Sequence, residues 1–230
     1  MPLPWLVGIK RRSVERDYKF YDPPEVVWRK ITRRAWPYKS NPEFYQLRDL
    51  SFMCMLYMTC SRVSELCRAR VKAGWKPSVK KSQVVRVGDW VEIRNLPVVK
   101  HRYVRVGGRW KLIETVDELP TRVAVRLPLR GDLSRFTEPI LQYIRYLSDD
   151  EELYPFKRQR GFQIVRYVTG EFPHYLREMG LKLWLRLFDK DLIRLQDFSG
   201  HKKLDNLARY LREISREEAE RRMIEYKMEE

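Results

Sequence analysis

From Glu43 to about Cys60, apolar residues recur at steps of three and four: Leu47, Leu50, Met53, Leu56, Tyr57 and Cys60. That spacing predicts a buried helix. Upstream, DPPEVVWRKITRRAW predicts another helix, capped by Asp22 with prolines in its first turn, and WPYKSNP ends it. Downstream, VSELCRAR after Arg62 predicts a further short helix. The period changes near Val84. VVRVGDWVEIRNLPVVK, YVRV, RWKLIE and TRVAVRLPL are rich in β-branched residues, and Gly107-Gly108 marks a hairpin turn, so a small antiparallel sheet is expected here. Helical spacing returns at Thr137 in EPILQYIRYL. It continues through HYLREMGLKLWLRLF, DLIRLQDF, the segment around Tyr210 and a charged final stretch, LREISREEAERRMIEYKME. Residues 1–21 are basic and aromatic without a clean period and read as an arm. The fold class is therefore α+β and mainly helical, with no repeats and no glycine-rich phosphate loop.

Composition narrows the class of partner. A chain of 230 residues with 43% apolar content can bury one good-sized core and at most a small appendage. The 47 Lys and Arg exceed the 31 Asp and Glu by 16. Such an excess favours a polyanion, nucleic acid before an anionic membrane surface. No apolar run approaches the ~20 residues of a membrane span. MPLPWLVGIKRR places its apolar patch ahead of its basic residues, the reverse of a signal peptide. A cytoplasmic protein associated with nucleic acid is the expectation. Cys54, Cys60 and Cys67 form no C-x-x-C and lie in an apolar stretch, as core residues of a reducing compartment do, rather than zinc ligands. Sparse Asn and Gln beside abundant Arg, Lys and Glu give a thermophile-like balance.

Three short stretches could carry chemistry. TCSRVSEL sets Arg62 three residues before Glu65, and FPHYLREMG sets His174 and Arg177 on one helix face. SGHKKLDNLARYL holds His201 and, nine positions on, Tyr210. Nine residues make two and a half helical turns, so on one unbroken helix that pair would face opposite ways. Ser199-Gly200 and Asp205-Asn206 are residues that start, cap or interrupt helices, and a break near Asp205-Asn206 lets the two side chains meet. Singly, each motif has an ordinary reading: Arg62 paired with Glu65, a surface His-Arg pair, a core tyrosine. In this order, R-V-S-E-L after an apolar helix, then H-x-L-R, then G-H with a tyrosine nine residues after the histidine resemble the tyrosine recombinases (phage-type integrases). The resemblance runs from about Arg48 to Tyr210 and looks nearest to archaeal members through VEIRNLPVVK.

That resemblance implies a catalytic domain over residues 41–230, with a C-terminal helix at 212–230 that docks on a neighbouring protomer. Residues 1–40 form only a basic arm and helix, too short for the helical DNA-clamping domain usual in the family. The chain is then expected to be a small recombinase or the catalytic portion of a longer one. The implied reaction is attack of a tyrosine oxygen on a DNA phosphate, leaving a 3′-phosphotyrosine, with no metal and no cofactor. Tyr210 would be the nucleophile, Arg62 and Arg177 the phosphate clamps, His201 a donor to a non-bridging oxygen, and His174 the group that takes or relays the tyrosine proton. Glu65 would buttress the site. The general acid would be a lysine of the small sheet: Lys100 in VEIRNLPVVK is the choice and Lys111 the runner-up. The partner is double-stranded DNA, with assembly into dimers or tetramers on DNA and a monomer when free. Two rivals stay open: topoisomerase-IB-like relaxation, and an inactive DNA-binding protein of the same fold.

Overall fold

A computed structural model describes residues 21–71, 74–99, 102–114, 121–201, 203–211 and 214–215. The basic arm, Lys100 and most of the C-terminal stretch lie outside the described residues. Helix α1 (Pro24–Ile31) starts on the Pro23-Pro24 pair, whose fixed φ suits a first turn. Asp22 does not cap it. Its carboxylate accepts instead from Lys30 Nζ at 2.8 Å and Tyr175 Oη at 2.5 Å, which ties α1 to a later helix.

Helix α2 (Pro42–Met58) is the centre of the molecule. From Phe52 to Cys60 every apolar side chain is buried, a wider face than the three-four stripe requires. A helix buried all round must be covered on several sides. Helix α4 (Ser134–Ile144) and helix α6 (Pro173–Leu187) pack on it, and α1 and the one-turn α3 (Val63–Leu66) complete the cover. The helix expected over VSELCRAR stops at Leu66. Cys67 is extended, and the Arg68 amide donates to Phe156 O at 3.1 Å, so the chain leaves as strand β1 (Ala69–Val71). Strand β1 pairs antiparallel with β2 (Gly74–Lys76).

The expected small sheet is present. Strands β3 (Val84–Val87), β4 (Trp90–Pro97) and β7 (Thr121–Pro128) form an antiparallel sheet in the order β3-β4-β7. The long interval between β4 and β7 is used by a separate hairpin, β5 (Arg102–Val106) and β6 (Arg109–Glu114), turning at Gly107-Gly108. Helix α5 (Arg158–Thr169) was not evident in the sequence. It lies against α3 so closely that a Cβ at Gly161 would come within 2.7 Å of Val63 Cγ1. Helix α7 (Leu192–Ser199), capped by Asp191, ends at Gly200 in the left-handed region, and helix α8 spans 205–211. The helical path is thus interrupted between Ser199 and Asp205, just ahead of Asp205-Asn206. Cys54, Cys60 and Cys67 are buried free thiols of the core. No helix among the described residues is long and apolar enough to cross a membrane.

Candidate active site

The site begins where α2 ends. Cys60 adopts φ 51°, and Thr59 Oγ1 bonds both Met55 O and Ser61 Oγ at 2.6 Å, so the chain turns sharply into Arg62. Arg62 sits at the N-cap of α3, and Glu65, three residues on, serves it twice. One carboxylate oxygen accepts the Arg62 amide at 2.9 Å and the other its guanidinium at 2.8 Å. Glu65 is fully buried. A lone carboxylate there would be costly, and it is held by cations on several sides. Besides Arg62, Arg122 Nη2 lies 3.6 Å and Arg177 Nη1 3.8 Å from Glu65 Oε2.

Arg177 reaches this centre because α6 runs unusually close to the end of α2. A Cβ at Gly180 would stand 2.1 Å from Tyr57 O, so only glycine allows the approach. Three residues earlier on α6, Arg177 Nη1 donates to the Cys60 carbonyl. Burial, with help from Arg62, lowers the Arg177 pKa to about 10, which still leaves it charged at neutral pH. Arg122 on β7 is the residue that the motifs did not reveal. Its guanidinium is buried and donates to Thr59 O at 2.6 Å, Phe198 O at 3.1 Å and Ser61 Oγ at 2.6 Å. It therefore joins the turn before Arg62 to the end of α7, just ahead of His201. The only advance signal was an arginine in TRVAVRLPL, one cation among 47.

His201 enters through the Gly200 turn. A Cβ there would meet Val98 Cγ2 at 2.8 Å, so the turn needs glycine for space as well as for φ 68°. Arg177 Nη2 is 3.0 Å from His201 Nε2, and Ser199 Oγ is 2.6 Å from Nδ1. Because a guanidinium can only donate, Nε2 accepts and Nδ1 carries the proton. Ser199 in turn donates to Leu195 O at 2.6 Å. Burial first, then the surrounding arginines, lower the His201 pKa to about 3, so the ring is neutral.

An open cleft of about 310 Å³ lies over this centre, with Ser61, Arg62, Ser64, Val99, His174 and Arg177 among its lining. Three of the expected residues, Arg62, His174 and Arg177, thus share one cavity, and His201 bonds one of them. Val99 brings the chain to the cleft one residue before Lys100, which itself lies outside the described residues. Lys111 is on β6, opposite Val104 in the separate hairpin. Tyr210 is not among the lining residues described. The residue is 2% exposed, part of the same buried core as Leu207 and Ile214, and its hydroxyl accepts from Arg209 Nη2 at 2.6 Å. Burial raises its pKa against the pull of Arg209, so the phenol is protonated. Among the described residues no cluster of His, Cys, Asp or Glu could hold a metal ion.

The chain has the fold of a tyrosine-recombinase catalytic domain. It is similar to the XerH site-specific recombinase in a post-cleavage complex with a palindromic difH substrate, with a TM-score of 0.53 and 14% identity over 94% of this chain. Lower scores come from XerH in a pre-cleavage complex with difH (0.49, 14% identity, 83% of this chain) and from the Tn1549 transposon integrase with transposon right-end DNA (0.46, 13% identity, 90% of this chain). The chain spans 49% and 56% of the two XerH chains and 67% of the integrase chain. No protein-family model matches the sequence. No curated protein matches it either.

Proposed function

We propose that this protein cleaves and rejoins DNA strands through a 3′-phosphotyrosyl intermediate, as a site-specific recombinase or integrase. The observation that carries the reading is the buried cationic centre. Arg62, Arg122 and Arg177 surround the single carboxylate of Glu65, leaving two positive charges in excess beneath an open cleft. Attack on a phosphodiester builds a second negative charge on the phosphoryl oxygens. A prearranged excess of two matches that dianion without reorganisation at the moment of reaction.

In the proposed step the Tyr210 oxygen forms a bond to phosphorus while the bond to the 5′-oxygen breaks. His174 accepts the tyrosine proton and Lys100 delivers one to the departing 5′-oxygen, so each proton has a donor and an acceptor. Religation runs the same transfers in reverse. Arg62 and Arg177 hold the non-bridging oxygens. For His201 to donate to one of them, its single proton must move from Nδ1 to Nε2, with the Ser199 hydroxyl turning to donate to Nδ1 and Arg177 releasing Nε2. For Tyr210 to attack, α8 must carry the hydroxyl out of the core. Assembly of two or four protomers on double-stranded DNA, with a monomer when free, belongs to the same proposal, as does the archaeal-type assignment that VEIRNLPVVK supports. A nicked duplex whose cleaved fragment diffuses away should trap an SDS-resistant protein–DNA adduct. DNA binding with no adduct from any duplex selected out of a random pool would leave the inactive DNA-binding protein as the better reading.

A further inference from the structure

Beyond the cleft, the β1–β2 hairpin makes a second concave surface of about 380 Å³, lined in part by Arg68, Trp75, Glu152 and Lys157. Trp75 is 57% exposed, an unusual state for so large an apolar ring, and Lys157 Nζ sits 5.2 Å from its centroid. Arg70, directly opposite Trp75 in the hairpin, stands on the same face and is exposed. The one carboxylate of the lining is occupied: Glu152 accepts from Arg68 at 2.9 and 3.1 Å and from the Ser78 amide at 2.9 Å. The face that remains is cationic and aromatic.

This surface abuts the cleft. Arg158 lines the cleft and Lys157, the residue before it, lines the second surface. Their backbone is anchored, since Arg68, the residue before β1, meets Lys157 through a parallel bridge. Resting on the recombinase reading above, we infer that Arg70, Trp75, Lys157 and Arg158 carry the backbone of duplex DNA as it leaves the cleft. Phosphates succeed one another every ~3.4 Å of axis along each strand, so cations on neighbouring residues can meet neighbouring phosphates. The Trp75 ring lies against the sugars between them. A protein partner fits less well, because besides Trp75 the lining offers only Pro77 and Pro155 as apolar surface, far short of an interface core.

The test measures binding of a long mixed-sequence duplex against salt for the parent, Trp75→Ala, Lys157→Ala and the double variant. Removing Lys157 should weaken binding several-fold on all sequences and reduce the salt slope by about one. Trp75→Ala should weaken binding with little change of slope. Both deficits should vanish on a duplex trimmed at one side of the cleavage position. The rate of adduct formation at saturating DNA should be that of the parent, because these side chains do not touch the reacting atoms. A double variant with the parent's affinity and slope overturns the surface and leaves the recombinase reading standing. So does one that keeps DNA binding and loses assembly with a second copy, which would give the surface to protein. A parent that binds duplex steeply but forms no adduct sinks the cleavage reading alone.

Discussion

Two halves of the candidate site differ in how they are held. The cationic half, built by α2, α3, α6 and β7, is fixed by buried charge: Glu65 has no exposed surface, Arg177 is 2% exposed, and Arg122 is 5% exposed. Each of these groups is anchored through partners from other elements, so none can shift alone. The tyrosine half, α8, hangs on the Gly200 turn. Among the described contacts, its hydroxyl is held only by its own neighbour, Arg209. On the proposed function, phosphate stabilisation would be prearranged, whereas delivery of the nucleophile would require movement. A phosphoryl-transfer site gains most from a rigid charge array, and a strand-cutting enzyme gains safety from a nucleophile kept apart until DNA is in place.

The largest expected effect separates the halves by function. Arg177→Ala should slow adduct formation by about 10²–10³-fold, as loss of one prearranged donor does, while DNA binding falls far less. A slowing below tenfold would make Arg177 a structural residue. The rigidity of the cationic half is tested through stability. Glu65→Gln leaves buried Arg122 and Arg177, and the half-buried Arg62, without their shared countercharge and should cost roughly 3–5 kcal/mol in chemical denaturation. A cost near zero would mean that the arginines do not depend on one another. Gly180→Ala places a methyl group against the Tyr57 carbonyl, 2.1 Å away, and should cost about 1–3 kcal/mol and retard cleavage by displacing Arg177.

The hinge between the halves supplies the smallest effect. His201 titrates near 3 in the folded chain against 6.5 for a free imidazole, so between these values the unfolded chain binds the extra proton. Stability should therefore fall as pH drops from about 6.5 towards 3. The contribution is on the order of 2 kcal/mol once the shift is discounted for partial exposure. His201→Gln should flatten that decline in acid denaturation. An unchanged profile would place the histidine in solvent.

Much of this arrangement could be read from the sequence, and the exceptions have physical reasons. Arg62, Glu65, His174, Arg177 and His201 stand out because their short motifs, each ordinary alone, follow one another in the order of the family they resemble. Arg122 does not, since its partners Thr59 and Phe198 are distant in sequence and only sheet closure turns the side chain inward. Helix α5 was hidden by its basic start and by Gly161, a residue that argues against helix until Val63 is seen to need the space. The end of α3 at Leu66 is equally non-local, because a backbone bond to Phe156 draws the chain into β1. The pattern pairs His201 with Tyr210 along the chain, and its ordinary reading, a core tyrosine, is where the phenol lies.

The central claim is that Tyr210 leaves that core to become the nucleophile. The most direct measurement traps the adduct on a nicked duplex, digests protein and DNA, and identifies the modified peptide by mass spectrometry, beside a Tyr210→Phe variant. The account predicts a nucleotide on Tyr210, no adduct from the variant, and nearly unchanged DNA binding. A nucleotide on another tyrosine, with Tyr226 the first to inspect, or an adduct that persists in Tyr210→Phe, would contradict it.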